Sequence, residues 1–321
     1  MRLPGLVRCT ALAASLAATG CATFDIGETH FFHPGPAATS APRTIGGAVV
    51  EDVTLRADDG TALGGVSIRQ ADADVEVLYF GGNASRADDM AAALARIVDG
   101  LRVNVLMIDY RGYGRSAGTP AIQTVKQDAV AAFDSLRGRA GGRPIVVHGV
   151  SLGGFVAAHV AASRTAEGLV LEATAPDVQT WARSQIPAYA RPFVRLKIAP
   201  ALLAESNVEA VRRHRGPLLL LTGSRDTVTP PRFMEPLLAA SPSPARRAVV
   251  AEGAGHGGAL AVPEARQAYA EFLDGVRSRR GSEGATAGAD AVWAVAVEAT
   301  EVVAAGTFRG APRTTAVEVP R

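Results

Sequence analysis

The chain has 321 residues, 48% of them apolar, enough to bury the core of one large domain or two small ones. Its 33 basic residues nearly balance 31 acidic ones, which excludes the basic footprint of a nucleic-acid binder, so no nucleic-acid partner is expected. Both cysteines, Cys9 and Cys21, lie at the start, the six histidines are scattered and no H-E-x-x-H occurs, so neither a metal nor another cofactor is expected.

Arg2 and Arg8 precede an apolar run of small residues over 10–18, the anatomy of an export signal that is too short to span a bilayer. The segment Leu16-Ala-Ala-Thr-Gly-Cys21 resembles a bacterial lipobox, in which cleavage before the cysteine leaves a thiol that is acylated. The resemblance implies a signal peptide over 1–20 and a lipid on Cys21 that holds an exported protein on a membrane of the cell envelope. The alternative is a soluble export signal with an incidental cysteine. Residues 21–45, with Pro34, Pro36 and Pro42 among Ala, Thr and Ser, read as a tether.

From about 46 to 278, short β-branched runs alternate with Ala-rich helical stretches, the pattern of βα units on a mainly parallel sheet. Eight strands are expected at 49–55, 65–69, 75–80, 103–108, 145–148, 168–171, 218–222 and 247–251. Asp58-Asp59-Gly60 marks a hairpin turn between the first two. Helices are expected at 86–98, 122–137, 152–163, 231–240 and 263–276. Between 175 and 216 the alternation lapses around Pro187, Pro192 and Pro200, which predicts a small helical cap. Residues 279–321 read as a disordered tail, with 292–297 the one stretch that could pair as a strand.

The pattern G-x-S-x-G occurs twice, as Gly114-Arg-Ser116-Ala-Gly118 and Gly149-Val-Ser151-Leu-Gly153. A nucleophilic serine needs a tight strand-to-helix turn, with small neighbours and a helix N-terminus facing the developing oxyanion. Ser151 has both flanks, a strand before it and a small-residue helix after it, whereas Ser116 runs into Gly118-Thr-Pro120. The same Pro120 argues against a dinucleotide loop at Gly112-x-Gly114-x-x-Ala117, because such a loop opens directly into a helix.

Among the histidines, only His256 lies in a glycine-rich loop, Glu252-Gly-Ala-Gly-His-Gly-Gly258, just after the last strand, where an imidazole can reach the serine as base. A serine-first triad of this kind runs Ser, Asp or Glu, His, so the orienting acid should follow an intervening strand. Asp226 does so, with Glu172 and Asp177 as rivals. Two backbone N–H groups are needed for the oxyanion: that of Leu152, and one from the turn Gly81-Gly82-Asn83-Ala84, where Asn83 is the candidate.

The blocks Tyr79-Phe-Gly-Gly-Asn-Ala84 and Asp109-Tyr-Arg-Gly-Tyr-Gly-Arg-Ser-Ala-Gly118 resemble the Y-x-H-G-N-A and D-Y-R-G-Y-G-x-S-x-G blocks of alpha/beta-hydrolase proteins, among them membrane-associated esterases, thioesterases and lysophospholipases. The resemblance spans roughly 48–277 and implies an alpha/beta-hydrolase fold, a structural role for Ser116, and hydrolysis of a small-molecule or lipid acyl substrate. Gly81 departs from it, standing where a histidine usually braces the oxyanion loop. The expected activity is ester or thioester cleavage through an acyl-enzyme on Ser151. A peptidase or acyltransferase on the same triad, and a non-catalytic anchored binding protein, are the alternatives.

Overall fold

Strands covered by helices on both faces carry apolar side chains at successive positions, because neither face meets water. In the computed structural model, which describes residues 22–35 and 44–283, the first strands are β1 (Ala22–Ile26), β2 (Thr44–Ile45), β3 (Ala48–Arg56) and β4 (Ala62–Arg69). They are followed by β5 (Val75–Phe80), β6 (Val103–Ile108), β7 (Ile145–Val150), β8 (Gly168–Glu172), β9 (Val194–Ile198), β10 (Leu218–Gly223) and β11 (Arg246–Ala251). Every residue of β5, β6, β7, β8 and β10 is buried.

The main sheet runs β11-β10-β8-β7-β5-β6-β4-β3-β2. From β11 to β6 all pairings are parallel, and β4, β3 and β2 add antiparallel strands at one edge. The eight expected strands are all present, and β2, two residues at the end of the segment read as a tether, makes a ninth. Helices α1 (Glu28–Phe31), α2 (Ala87–Val98), α3 (Ile122–Arg139) and α4 (Leu152–Ser163) precede β8. Then come α5 (Val178–Ser184), α6 (Pro200–Leu203), α7 (Asn207–Arg213), α8 (Met234–Ala240) and α9 (Pro263–Glu283). The two-residue period of β5 sorts its side chains: Leu78 and Phe80 pack with α3 and α4, Val75, Val77 and Tyr79 with α2 and α9.

Helix α4 is apolar nearly all round, and its glycines let it sit against the sheet. A Cβ on Gly149 would stand 2.1 Å from the Gly153 carbonyl oxygen, and one on Gly153 would stand 2.1 Å from that of Phe80. Gly153→Ala is therefore expected to cost about 3 kcal/mol, read as a lower urea midpoint, because backbone rather than a movable side chain blocks the methyl group.

His159 on α4 is pushed down to about 4, first by burial and then by Lys126 and Arg213. In the unfolded chain it binds a proton near its ordinary value of 6.5, so stability is lost as pH falls from there towards 4. His159→Gln should flatten that slope by about 1–2 kcal/mol, after discounting for solvent screening, in denaturation at pH 7 and pH 4.5.

The segment read as a tether over 21–45 is docked over residues 22–35, a correction to the sequence reading. β1 pairs in parallel with β9, from Ala22 opposite Val194 to Ile26 opposite Ile198. Phe31 and Phe32 are buried, with the Phe31 ring edge-on to Phe155 and Trp181 at 6.3 and 5.9 Å. Glu28 Oε1 accepts a hydrogen bond from the Ile122 amide at 2.9 Å. Two adjacent aromatics are a strong anchor, but they have no periodicity to announce it. The 175–216 segment is not wholly helical either, since β9 and a 3₁₀ turn at Ala188–Phe193 lie between its helices. Helix α9 runs past the expected end of the domain at 278. The signal segment, Cys21 and the possible strand at 292–297 lie outside the described residues.

Candidate active site

Ser151 joins β7 to α4 with φ 54° and ψ −114°, backbone that a residue bearing a Cβ seldom adopts. Neighbours hold it there: its amide donates to the Glu172 carbonyl at 2.9 Å, and Thr174 Oγ1 donates to its carbonyl at 2.8 Å. Thr174 is in turn bonded by Asn207 Nδ2 at 3.1 Å, which ties the turn to α7. The serine side chain is left at the mouth of the sheet. Ser116 is instead buried, its Oγ accepting from the Gly64 amide at 3.0 Å and donating to the Asp109 carbonyl at 2.7 Å.

The loop after β11 brings His256 Nε2 to 3.0 Å from Ser151 Oγ, and the loop after β10 brings Asp226 Oδ2 to 2.8 Å from His256 Nδ1. An imidazole with its proton on Nδ1, donated to Asp226, presents a lone pair on Nε2 to the serine hydroxyl. Asp226 Oδ1 accepts from the amides of Val228 and Thr229, both at 2.8 Å, and Oδ2 from Thr229 Oγ1 at 2.8 Å. Burial alone would raise the Asp226 carboxyl, but the hydrogen bonds from His256 and Thr229 outweigh it, and the net direction is down. It is a carboxylate fixed by four donors.

The two rival acids have other work. Glu172 Oε1 accepts from the Ala259 amide at 3.0 Å, and so anchors the loop that carries His256. Asp177 caps α5 by accepting from the Thr180 amide at 2.6 Å.

The loop after β5 lies beside the serine: a Cβ on Gly82 would be 3.5 Å from Ser151 Cβ. Among the described residues nothing accepts from the backbone N–H of Asn83 or of Leu152. The Asn83 side chain, by contrast, is fully engaged. Its Oδ1 accepts from the Tyr113 hydroxyl at 2.7 Å and the His33 amide at 2.9 Å, while Nδ2 donates to the Phe31 carbonyl at 2.8 Å. Tyr110 donates its hydroxyl to the Gly81 carbonyl at 2.8 Å. The brace missing at Gly81 is thus supplied by two tyrosines and the N-terminal segment. Burial pushes the Tyr113 phenol up to about 12 and Tyr110 well above its ordinary value, so both stay neutral donors.

The charged residues of 109–118 set those tyrosines. Arg111 holds Asp128 through two bonds of 2.6 and 2.7 Å and Asp59 at 2.5 Å, Arg115 holds Asp88 at 3.0 Å, and Asp109 Oδ1 accepts from the Ala87 amide at 2.7 Å. Sequence reasoning missed Tyr110, Tyr113, Thr174, Asn207 and Thr229 as supports of the site. Only Thr229 had a local signal: an Asp followed at the third position by Thr, ahead of Pro230, is a turn in which the carboxylate bonds its own backbone. Among the described residues no cluster of His, Cys, Asp or Glu is arranged to hold a metal ion.

Comparison with known proteins places the fold. Residues 72–212 match the family model described as serine aminopeptidase, S33. An uncharacterized protein of Mycobacterium tuberculosis is 32% identical over 265 residues, which cover 78% of this chain and 90% of that protein. The lysophosphatidylserine lipase ABHD12 of Macaca fascicularis is 30% identical over 167 residues, 48% of this chain and 42% of the lipase. The solved structure of the esterase Pf2001 of Pyrococcus furiosus superposes with a TM-score of 0.58 at 20% identity, covering 73% of this chain and 98% of the esterase. With its mostly parallel helix-flanked sheet and these relatives, the chain belongs to the alpha/beta-hydrolase family.

Proposed function

We propose that this protein is a serine hydrolase that cleaves a carboxylic ester or thioester through an acyl-enzyme on Ser151. One observation carries the reading: the chain of hydrogen bonds from Ser151 Oγ through His256 to Asp226, with spans of 3.0 and 2.8 Å, at a serine held at φ 54°. In the first step Oγ attacks the acyl carbonyl while its proton passes to His256 Nε2, and Asp226 stabilises the imidazolium. The Leu152 and Asn83 amides receive the oxyanion, helped by the N-terminus of α4. His256 returns the proton to the leaving alcohol or thiol. A water then repeats the sequence on the acyl group and frees Ser151.

The similarity to a lysophosphatidylserine lipase makes a lysophospholipid the first substrate to try. The family description, a serine aminopeptidase, favours amide cleavage as the second reading. Labelling with a fluorophosphonate probe, followed by a panel of lysophospholipids, p-nitrophenyl esters of graded length and aminoacyl amides, tests both. Absence of labelling would reject the hydrolase reading and favour a binding protein on the same scaffold.

We also propose that Cys21 is acylated and anchors the protein to a membrane; the support is the signal-like segment that precedes it. Growth with a palmitate analogue should label the wild type and not Cys21→Ala. Label that survives the substitution would sink the anchor.

A further inference from the structure

Large apolar side chains left in water cluster on one part of this molecule. Of the six most exposed among the described residues, Phe24, Tyr189, Phe193 and Leu203 all lie on β1 or on the 188–203 stretch that contains β9. Tyr189 is 68% exposed and Phe193 60%. Phe24 is paired with Leu196 in the β1–β9 ribbon, on the face that also carries Val194, while Arg195 and Lys197 project from the ribbon's other face, so that apolar and basic groups flank one thin ribbon. This ribbon is a separate two-stranded sheet whose far end, Ile26 opposite Ile198, packs against the core, while Phe24 near its start is left half exposed.

The charge of the same stretch has one sign. Between Asp177 and Glu205 there are four cations, Arg183, Arg191, Arg195 and Lys197, all exposed, and no acid. Asp25, facing Lys197 at 3.4 Å, is the one carboxylate on the ribbon. Exposed aromatics interleaved with arginine are the composition of a surface that lies in a lipid headgroup layer: apolar groups enter the acyl boundary and cations meet anionic headgroups. Position points the same way. The described chain enters the ribbon at Ala22, opposite Val194 and therefore next to Phe193.

We propose that the β1–β9 ribbon and residues 188–203 form a docking face for an anionic lipid surface. This goes beyond a lipid on Cys21, because acyl chains on one cysteine hold a protein without regard to headgroup charge, whereas this face adds a second, charge-selective contact. It also sits on the cap that is bonded to the Ser151 turn through Asn207 and Thr174, so docking turns the cap toward the lipid layer.

The test is hydrogen–deuterium exchange of the full chain alone, on phosphatidylglycerol vesicles and on phosphatidylcholine vesicles. Exchange across 188–203 should slow by roughly tenfold on phosphatidylglycerol and by much less on phosphatidylcholine. Arg191→Glu with Arg195→Glu should erase the difference between the two lipids, and Tyr189→Ser with Phe193→Ser should remove the protection on both. Unchanged thermal unfolding of these surface variants shows that they fold. Exchange that ignores vesicles, protection equal on both lipids, or protection that grows with protein concentration in the absence of lipid would overturn the proposal, the last by identifying a second copy as the occupant. No substrate enters the measurement, so its failure leaves the acyl-enzyme reading untouched, and failure of fluorophosphonate labelling leaves this one untouched.

Discussion

Ser151→Ala is expected to abolish fluorophosphonate labelling and to lower ester turnover by about four to six orders of magnitude, leaving only what the oxyanion donors and binding contribute. The substitution removes the one hydroxyl within 3.0 Å of His256 Nε2 and leaves no atom to carry the acyl group. Alanine retains the Cβ that the φ of 54° already accommodates, so folding should be preserved, and a circular-dichroism melt checks it. Ser116→Ala is the informative contrast. It strips a buried hydroxyl from Gly64 and Asp109, so it should lower stability by about 1–3 kcal/mol while labelling persists. Full labelling of Ser151→Ala, or its loss in a folded Ser116→Ala, would reverse the assignment of the two G-x-S-x-G sites.

Asp226→Asn is expected to lower kcat by about 10³–10⁴-fold with little change in KM. An amide nitrogen facing Nδ1 would draw the imidazole proton to Nε2, where it points at Ser151 and no lone pair remains to take the hydroxyl proton. The negative charge that balances the imidazolium is lost as well. Glu172→Gln should be far milder, because Glu172 holds the Ala259 amide and not the imidazole. Comparable losses from the two substitutions would contradict the geometric choice between them. The same carboxylate shapes acid stability. Its folded pKa is lowered, so its stabilising contribution is whole above the unfolded carboxylate range and disappears as pH falls through the folded value. Asp226→Asn should therefore flatten the acid limb of a pH–stability curve, measured by urea denaturation between pH 5 and pH 2.5.

The strands were the most legible part of the fold. β5 and β6 fall at the residues expected from their apolar runs, and β7, β8 and β10 extend one or two residues beyond them. A strand that is covered on both faces advertises itself, since most of its side chains must be apolar, with Glu76, Asn104 and His148 as buried, polar exceptions. The choice of Ser151 over Ser116 was also local: one serine has a helix after it and the other a proline four residues on. In the structure Ser151, His256 and Asp226 stand within hydrogen-bond reach, although 105 residues separate the serine from the histidine.

What the sequence determined by itself, then, were the strand positions, the tight glycine-lined turn at Ser151 and the short menu of Asp226, Glu172 and Asp177 for the acid. Each is a property of neighbouring residues: periodicity, backbone freedom, or position after a strand. Only the tertiary structure decided which carboxylate meets His256, that Tyr110, Tyr113 and the 22–35 segment brace the Gly81–Ala84 loop, and that β1 pairs with β9 some 170 residues away. Such contacts form because burial and hydrogen bonding reward any two segments whose surfaces match, whatever their separation, and a single hydroxyl or a pair of phenylalanines carries no local pattern that names its partner.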